Sequence, residues 1–107
     1  MAEVEERFNR IIAHKGIVDI LIVGEDGKIL KRNKRKDGNE TIQSQIAKKV
    51  TELAKRARSV VRDINPNNDL TFFRVRSKKQ EIMVAPDKNL FLIVIQVSDD
   101  KEKEVYN

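Results

Sequence analysis

The period of the apolar positions changes repeatedly along the chain, and each change marks an element. Val4, Phe8, Ile11 and Ile12 fall on one stripe at helical spacing, which predicts an amphipathic helix over 3–15. Lys15-Gly16 supplies a cationic last turn and a residue suited to the left-handed stop. From Ile17 to Val23 the apolar run is nearly continuous and β-branched, as in a strand covered on both faces, 17–23. Gly24-Glu25-Asp26-Gly27 reads as a hairpin turn, and 28–32 as a return strand carrying Ile29 and Leu30 among basic residues. After a polar break, Ile42, Ile46, Val50, Leu53, Ala57, Val60 and Ile64 recur at intervals of 3 and 4. They predict a helix over 41–64 with one apolar stripe, capped by Asn39 or Thr41 and stopped by Pro66. A meander of strands 70–76, 81–85 and 90–97 follows, with turns at 77–80 and 86–89.

This order of elements restricts the architecture. Strands 17–23 and 90–97 are apolar on both faces and belong at the centre of a sheet, so their hairpin partners lie outside them. The expected fold is α+β: an α/β/α sandwich around a five-stranded antiparallel sheet of order 2-1-5-4-3, with helices 3–15 and 41–64. The two edges differ. Lys28, Lys31 and Arg32 guard strand 28–32 against foreign strands. Strand 70–76 carries Leu70, Phe72, Arg74 and Arg76 on one face and no proline, and left bare it would template aggregation. Pairing with a second copy across a two-fold axis would join two sheets into one of ten strands; the alternative is cover by the tail or by helix 41–64.

A hairpin tip at Lys78-Lys79 sets Arg76 opposite Glu81 and Val75 opposite Ile82, and a four-residue loop at 86–89 sets Val84 opposite Phe91. One face then reads Thr71, Phe73, Val75, Ile82, Val84, Phe91, Ile93, Ile95 and suits the long helix. The other face is mixed. A helix about 10 Å wide cannot roof five strands spaced about 4.8 Å, so part of the mixed face stays open. A partner helix beside helix 3–15, touching Phe8, Ile12, Met83 and Leu92, is the expected occupant.

Composition narrows the class. A chain of 107 residues supports one domain, here expected over 1–97 with a charged, flexible tail at 98–107. With no cysteine there is no disulfide framework and no thiolate nucleophile. The acidic opening Met1-Ala2-Glu3-Val4-Glu5-Glu6 lacks a signal-peptide pattern, and the aliphatic run Leu90–Ile95 falls far short of a membrane span of roughly 20 residues. A soluble, intracellular protein is expected. The formal charge of +5 gathers in Lys31–Lys36 and along 48–62, which leaves a phosphate-binding face and a solvated face both open.

Catalytic chemistry finds little support. His14 is the only histidine and has no identifiable nucleophile or carboxylate companion. No Gly-rich phosphate cradle occurs, so no cofactor is expected. Asp63, Asp69 and Asp87 sit at helix-end and turn positions without metal-ligand spacing. Phe72-Phe73 beside Arg74 and Arg76 could mimic an RNA-stacking platform, but the strand lacks the glycine that such a motif requires, and packing is the better account.

The run Arg62-Asp63-Ile64-Asn65-Pro66-Asn67-Asn68-Asp69-Leu70, continued by Ser77-Lys78-Lys79-Gln80-Glu81-Ile82-Met83-Val84-Ala85-Pro86-Asp87, closely resembles the roadblock light chains of dynein. The opening hexapeptide and Lys15-Gly16 are similar too. The resemblance implies a roadblock/longin-like sandwich and a homodimer joined through strand 70–76, with the long helices meeting at Leu53, Ala57 and Val60. It further implies a non-motor, non-enzymatic subunit that binds the dynein intermediate chain in microtubule-based transport. That subunit would be cytoplasmic and cytoskeleton-associated, or housed in a ciliary or flagellar axoneme, without nucleic acid or membrane insertion. Other relatives of the fold act on small GTPases, so a GTPase-regulating dimer is the alternative, ahead of a basic nucleic-acid module. The basic 28–38 segment and the long tail depart from the family pattern and bear on partner specificity.

Overall fold

A five-stranded antiparallel sheet and one long helix carry the described part of the chain, which in this computed structural model is residues 6, 9, 10 and 13–97. The elements are β1 (Ile17–Gly24), β2 (Ile29–Arg32), α1 (Glu40–Ile64), β3 (Phe73–Arg76), β4 (Gln80–Asp87) and β5 (Leu90–Val97). The sheet order is β2-β1-β5-β4-β3, all antiparallel, as the hydrophobic pattern required. Glu6, Asn9 and Arg10 are helical. The remainder of the expected 3–15 helix up to residue 12, with Phe8 and Ile12, lies outside the described residues, as does the 98–107 tail.

Alternation along the strands sorts the core into two layers. Leu21, Val23, Val84, Phe91, Ile93 and Ile95 pack with Ala47, Val50 and Ala54 of α1. Ile20, Ile22 and Val94 are buried on the opposite face. Asn39 caps α1, its side chain accepting from the Ile42 amide, and Asn65 ends the helix with its amide bonded to the Val61 carbonyl. At Gly16 the backbone takes φ +86°, and an added Cβ would stand 3.0 Å from the Val97 carbonyl oxygen, so only glycine lets β1 start beside the end of β5.

Two expectations need correction. The 86–89 loop is shorter than four residues: β4 runs through Pro86 and Asp87, and the chain reverses over Lys88-Asn89, with Lys88 at φ +46°. Val84 therefore faces Ile93, and Phe91 faces Pro86. The two-residue shift keeps every side chain on its expected face. Strand β3 begins at Phe73 rather than Leu70. In its register Phe73 pairs with Val84, so residue 71 would meet Pro86, which has no N–H to offer, and the ladder ends there.

Most of the apolar stripe on α1 does not meet the sheet. The helix side against the sheet is Gln43, Ala47, Val50, Thr51 and Ala54, mostly small or polar. Ile42, Leu53, Val60 and Ile64 lie about 100° round the axis from it and are exposed, Val60 by 57% and Ile64 by 81%. Small residues let the helix settle onto a sheet face already filled by Leu21, Phe91, Ile93 and Ile95. The bulky apolar positions stand aside.

Candidate functional site

Two surfaces are built by this arrangement. The first joins the apolar flank of α1 to β3, the last strand of the described sheet. The opposite flank abuts the β1–β2 turn, where an added Cβ on Gly27 would stand 3.7 Å from the Lys48 Cα. The apolar flank therefore looks over β4 and β3. Half-buried Ile46, Phe73 and Ile82 carry the core out to it, and Val75, 38% exposed, extends it to the sheet edge. Leu53 and Val60 lie on this flank with half-buried Ala57 at their side.

The edge is held in place by a charge cluster. Arg58 grips Asp69 with Nε 2.8 Å from Oδ1 and a second donor 3.0 Å from Oδ2, and Arg62 adds a contact at 3.2 Å. Asp69 also accepts from the Leu70 amide at 2.8 Å. The Arg58 hydrogen bonds hold its carboxyl well below the ordinary carboxylate range, and the Leu70 amide and Arg62 add to this. The clamp is fully in force above the unfolded carboxylate range and weakens as pH falls below it. Asp69→Asn should consequently lower the denaturation midpoint at pH 7, with the gap to the unmodified chain shrinking at pH 3 in paired urea titrations. Arg74 pairs with Glu81 across the hairpin at 3.2 Å and lies 5.9 Å above the Phe72 ring. Leu70 and Phe72, expected as edge-strand positions, precede the strand; Leu70 is half-buried and Phe72 47% exposed.

The second surface is a trough of about 290 Å³ on the face opposite α1, lined by His14, Ile17, Phe72, Met83, Ala85, Leu92, Val94 and Gln96. Its floor is apolar, and its ends carry a ring nitrogen and an amide. His14 Nδ1 lies 3.0 Å from the Arg10 carbonyl. Two expected partner contacts, Met83 and Leu92, come together here. Phe72, which strand parity puts on the same face and which is expected in the dimer contact, joins them beyond the end of β3.

Sequence reasoning missed a buried polar cluster. Asp19, 1% exposed, accepts from Arg35 at 2.8 Å and from Gln43 Nε2 at 3.0 Å. Asn33 continues the pairing of β1 past the end of β2: its side-chain Nδ2 donates to the Val18 carbonyl, while its side-chain oxygen accepts from the Ile20 amide, each at 2.9 Å. Part of the basic 28–38 segment is thus internal scaffolding, with Arg35 on Asp19 and Asp37 and Arg32 3.4 Å from Glu40. An aspartate in the middle of a β-branched run was the available signal. Among the described residues no group of His, Asp and Glu could hold a metal ion, and no helix is long and apolar enough to cross a membrane.

Comparison with known proteins agrees with this geometry. A profile of the Roadblock/LC7 domain matches residues 3–96. Among solved structures, a Roadblock/LC7 domain from Streptomyces avermitilis is similar at TM-score 0.72 and 12% identity, over 91% of this chain and 82% of that one. MglB in a tetrameric arrangement gives 0.74 at 9% identity, over 98% and 79%. The gliding protein MglB from Thermus thermophilus gives 0.73 at 9% identity, over 95% and 78%. At these identities the likeness is one of fold.

Proposed function

Because the chain belongs to the Roadblock/LC7 domain family, we propose that it is a non-catalytic homodimeric adaptor, a dynein light chain whose two copies hold segments of the dynein intermediate chain in microtubule-based transport. The observation that carries the adaptor reading is the displaced stripe on α1. Ile42, Leu53, Val60 and Ile64 form an exposed apolar row of the kind that marks an interaction surface, and they lead to β3, an edge strand of the described sheet. A second copy related by a two-fold axis covers both at once, completing a ten-stranded sheet and a helix pair. In such a dimer the trough at Met83 and Leu92 takes the apolar face of a partner helix. The dynein assignment rests on the Arg62–Leu70 and Ser77–Asp87 runs; a cytoplasmic, cytoskeleton-associated setting belongs to the same proposal.

A second reading has a definite observation behind it. The solved structures named above are bacterial roadblock and gliding proteins rather than dynein subunits, which favours a dimer that regulates a small GTPase through the same surfaces. Calorimetry separates the two. An amphipathic intermediate-chain segment should bind once per protomer, and Met83→Glu with Leu92→Glu should weaken it by at least about tenfold, about 1.4 kcal/mol. No heat with that segment, together with a changed GTP hydrolysis rate in a partner GTPase, would move the assignment to the second reading.

A further inference from the structure

We propose that β2 is a docking edge for an extended acidic segment of a partner protein, which adds a strand beside Leu30 and Arg32 and is selected by Lys28, Lys34 and Lys36. The proposal stands apart from the adaptor reading, since β2 lies at the opposite end of the sheet from β3.

The first observation is where the main-chain groups of β2 point. Arg32 sits opposite Leu21 and Lys31 opposite Ile22, and the same register brings the Asn33 amide to the Ile20 carbonyl at 3.2 Å. In an antiparallel ladder, residues that exchange hydrogen bonds alternate with residues that do not. Asn33 and Lys31 therefore bond towards β1, and the N–H and C=O of Arg32 point away from it. Nearer the turn, the Gly24 amide donates to the Lys28 carbonyl at 2.9 Å, so Ile29 and Leu30 together span the space opposite Val23. Such a bulge re-aims a side chain. Ile29 packs against the core, while Leu30 is turned out and 60% exposed. Among the described residues no strand lies beyond β2.

The second observation is the charge that remains after internal pairing. Residues 28–36 hold six cations and no acid. Arg32 is taken by Glu40, and Arg35 by Asp19 and Asp37. Lys28, Lys34 and Lys36 are exposed, and among the described residues none of them has an ion-pair partner. Glu25 and Asp26 stand in the turn before Lys28, so a strand with its acids towards Lys34 and Lys36 is favoured. These lysines repel a second copy of the same edge and any basic strand, yet they attract an acidic one. The guard against self-association thus also selects the partner.

The third observation concerns the kind of partner. Main-chain groups two residues apart, at Leu30 and Arg32, match the repeat of an extended peptide. Strand addition draws its affinity from such main-chain bonds and its selectivity from alternate side chains, here with Leu30 as the apolar contact. A single-stranded nucleic acid needs aromatic stacking surfaces, and residues 28–36 hold none.

Hydrogen exchange followed by nuclear magnetic resonance on the full chain tests the proposal. A short capped peptide alternating Glu and Val, at about twice its dissociation constant, should slow exchange of the Leu30 and Arg32 amides about threefold. The Lys31 amide, already bonded into the β1 ladder, should not change. The same peptide N-methylated along one edge should give no slowing. Lys28→Glu with Lys34→Glu should weaken the unmethylated peptide at least about tenfold; both lysines are exposed, and unchanged β5 amide shifts would show that the fold persists. Exchange at Leu30 and Arg32 that millimolar peptide leaves unaltered overturns the proposal. So does protection that maps to α1, equal protection by a peptide alternating Lys and Val, or protection by a single-stranded oligonucleotide in place of the peptide.

Discussion

Leu53→Asp combined with Val60→Asp should convert the protein from dimer to monomer at micromolar concentration in sedimentation velocity, with an unchanged far-ultraviolet circular dichroism spectrum. Both side chains are largely outside the protomer core, 43% and 57% exposed, so charge there leaves the protomer's own packing intact. In the proposed dimer each copy buries them against the partner helix. A side chain of this size contributes about 1.5–3 kcal/mol when fully buried, and a carboxylate in its place adds desolvation. Two substitutions in each of two copies should raise the dissociation constant by well over about 100-fold, or about 2.7 kcal/mol. Leu70→Asp with Phe72→Asp should also yield monomers, though with a smaller shift, because these residues precede the paired part of β3. A dimer that survives the helix substitutions would remove the exposed flank as the reason for association.

Arg35→Ala should be the most destabilising single change in the basic segment, by about 2–3 kcal/mol in urea denaturation. Removing one member of a buried ion pair strands the other charge away from water. Here the stranded group is Asp19, left with the Gln43 amide as its hydrogen-bond partner. The figure is set below that of a fully enclosed pair because the Arg35 side chain keeps 16% of its surface in solvent. Hydrogen bonding to Asp37 is the largest influence raising the Arg35 pKa, opposed by burial and reinforced by the charge of Asp19. Arg35 is therefore cationic throughout the accessible pH range, and the loss should be similar at pH 6 and pH 9. Lys36→Ala, at an exposed position one residue away, should be nearly neutral; equal losses from both substitutions would exclude the buried pair as the cause.

The two surfaces differ in how far the sequence disclosed them. Strand alternation is strictly two-residue, so Met83, Leu92 and Val94 could be placed on one face even though the β4–β5 register was misjudged by two. An even slip conserves parity. Helix α1 offers no such protection. Its apolar residues make a stripe wherever they point, and a stripe that faces the protomer's own sheet has the same spacing as one that faces a second molecule. The pairing of Ala47 with Ala54 beside Val50 marks a second stripe, about 100° away from the first. It becomes recognisable as the inward side only once the sheet beneath is known to supply the bulk.

Local chemistry determined the elements, their order in the sheet and the cap at Asn39, because period, β-branching and turn residues act over a few neighbours and need no knowledge of distant parts. Family membership was legible for the same reason, in contiguous runs such as Arg62–Leu70. Three-dimensional packing decided which side of α1 is inward, where β3 starts and what Asp19 meets. Each of these depends on residues far apart in the chain: Pro86 ends a ladder begun at Phe73, Arg35 and Gln43 converge on Asp19 from either side of the α1 cap, and Leu21, Ile93 and Ile95 fill the space that would otherwise have drawn Leu53 and Val60 inward. Burial is a property of the assembled sheet, and no single stretch of sequence carries it.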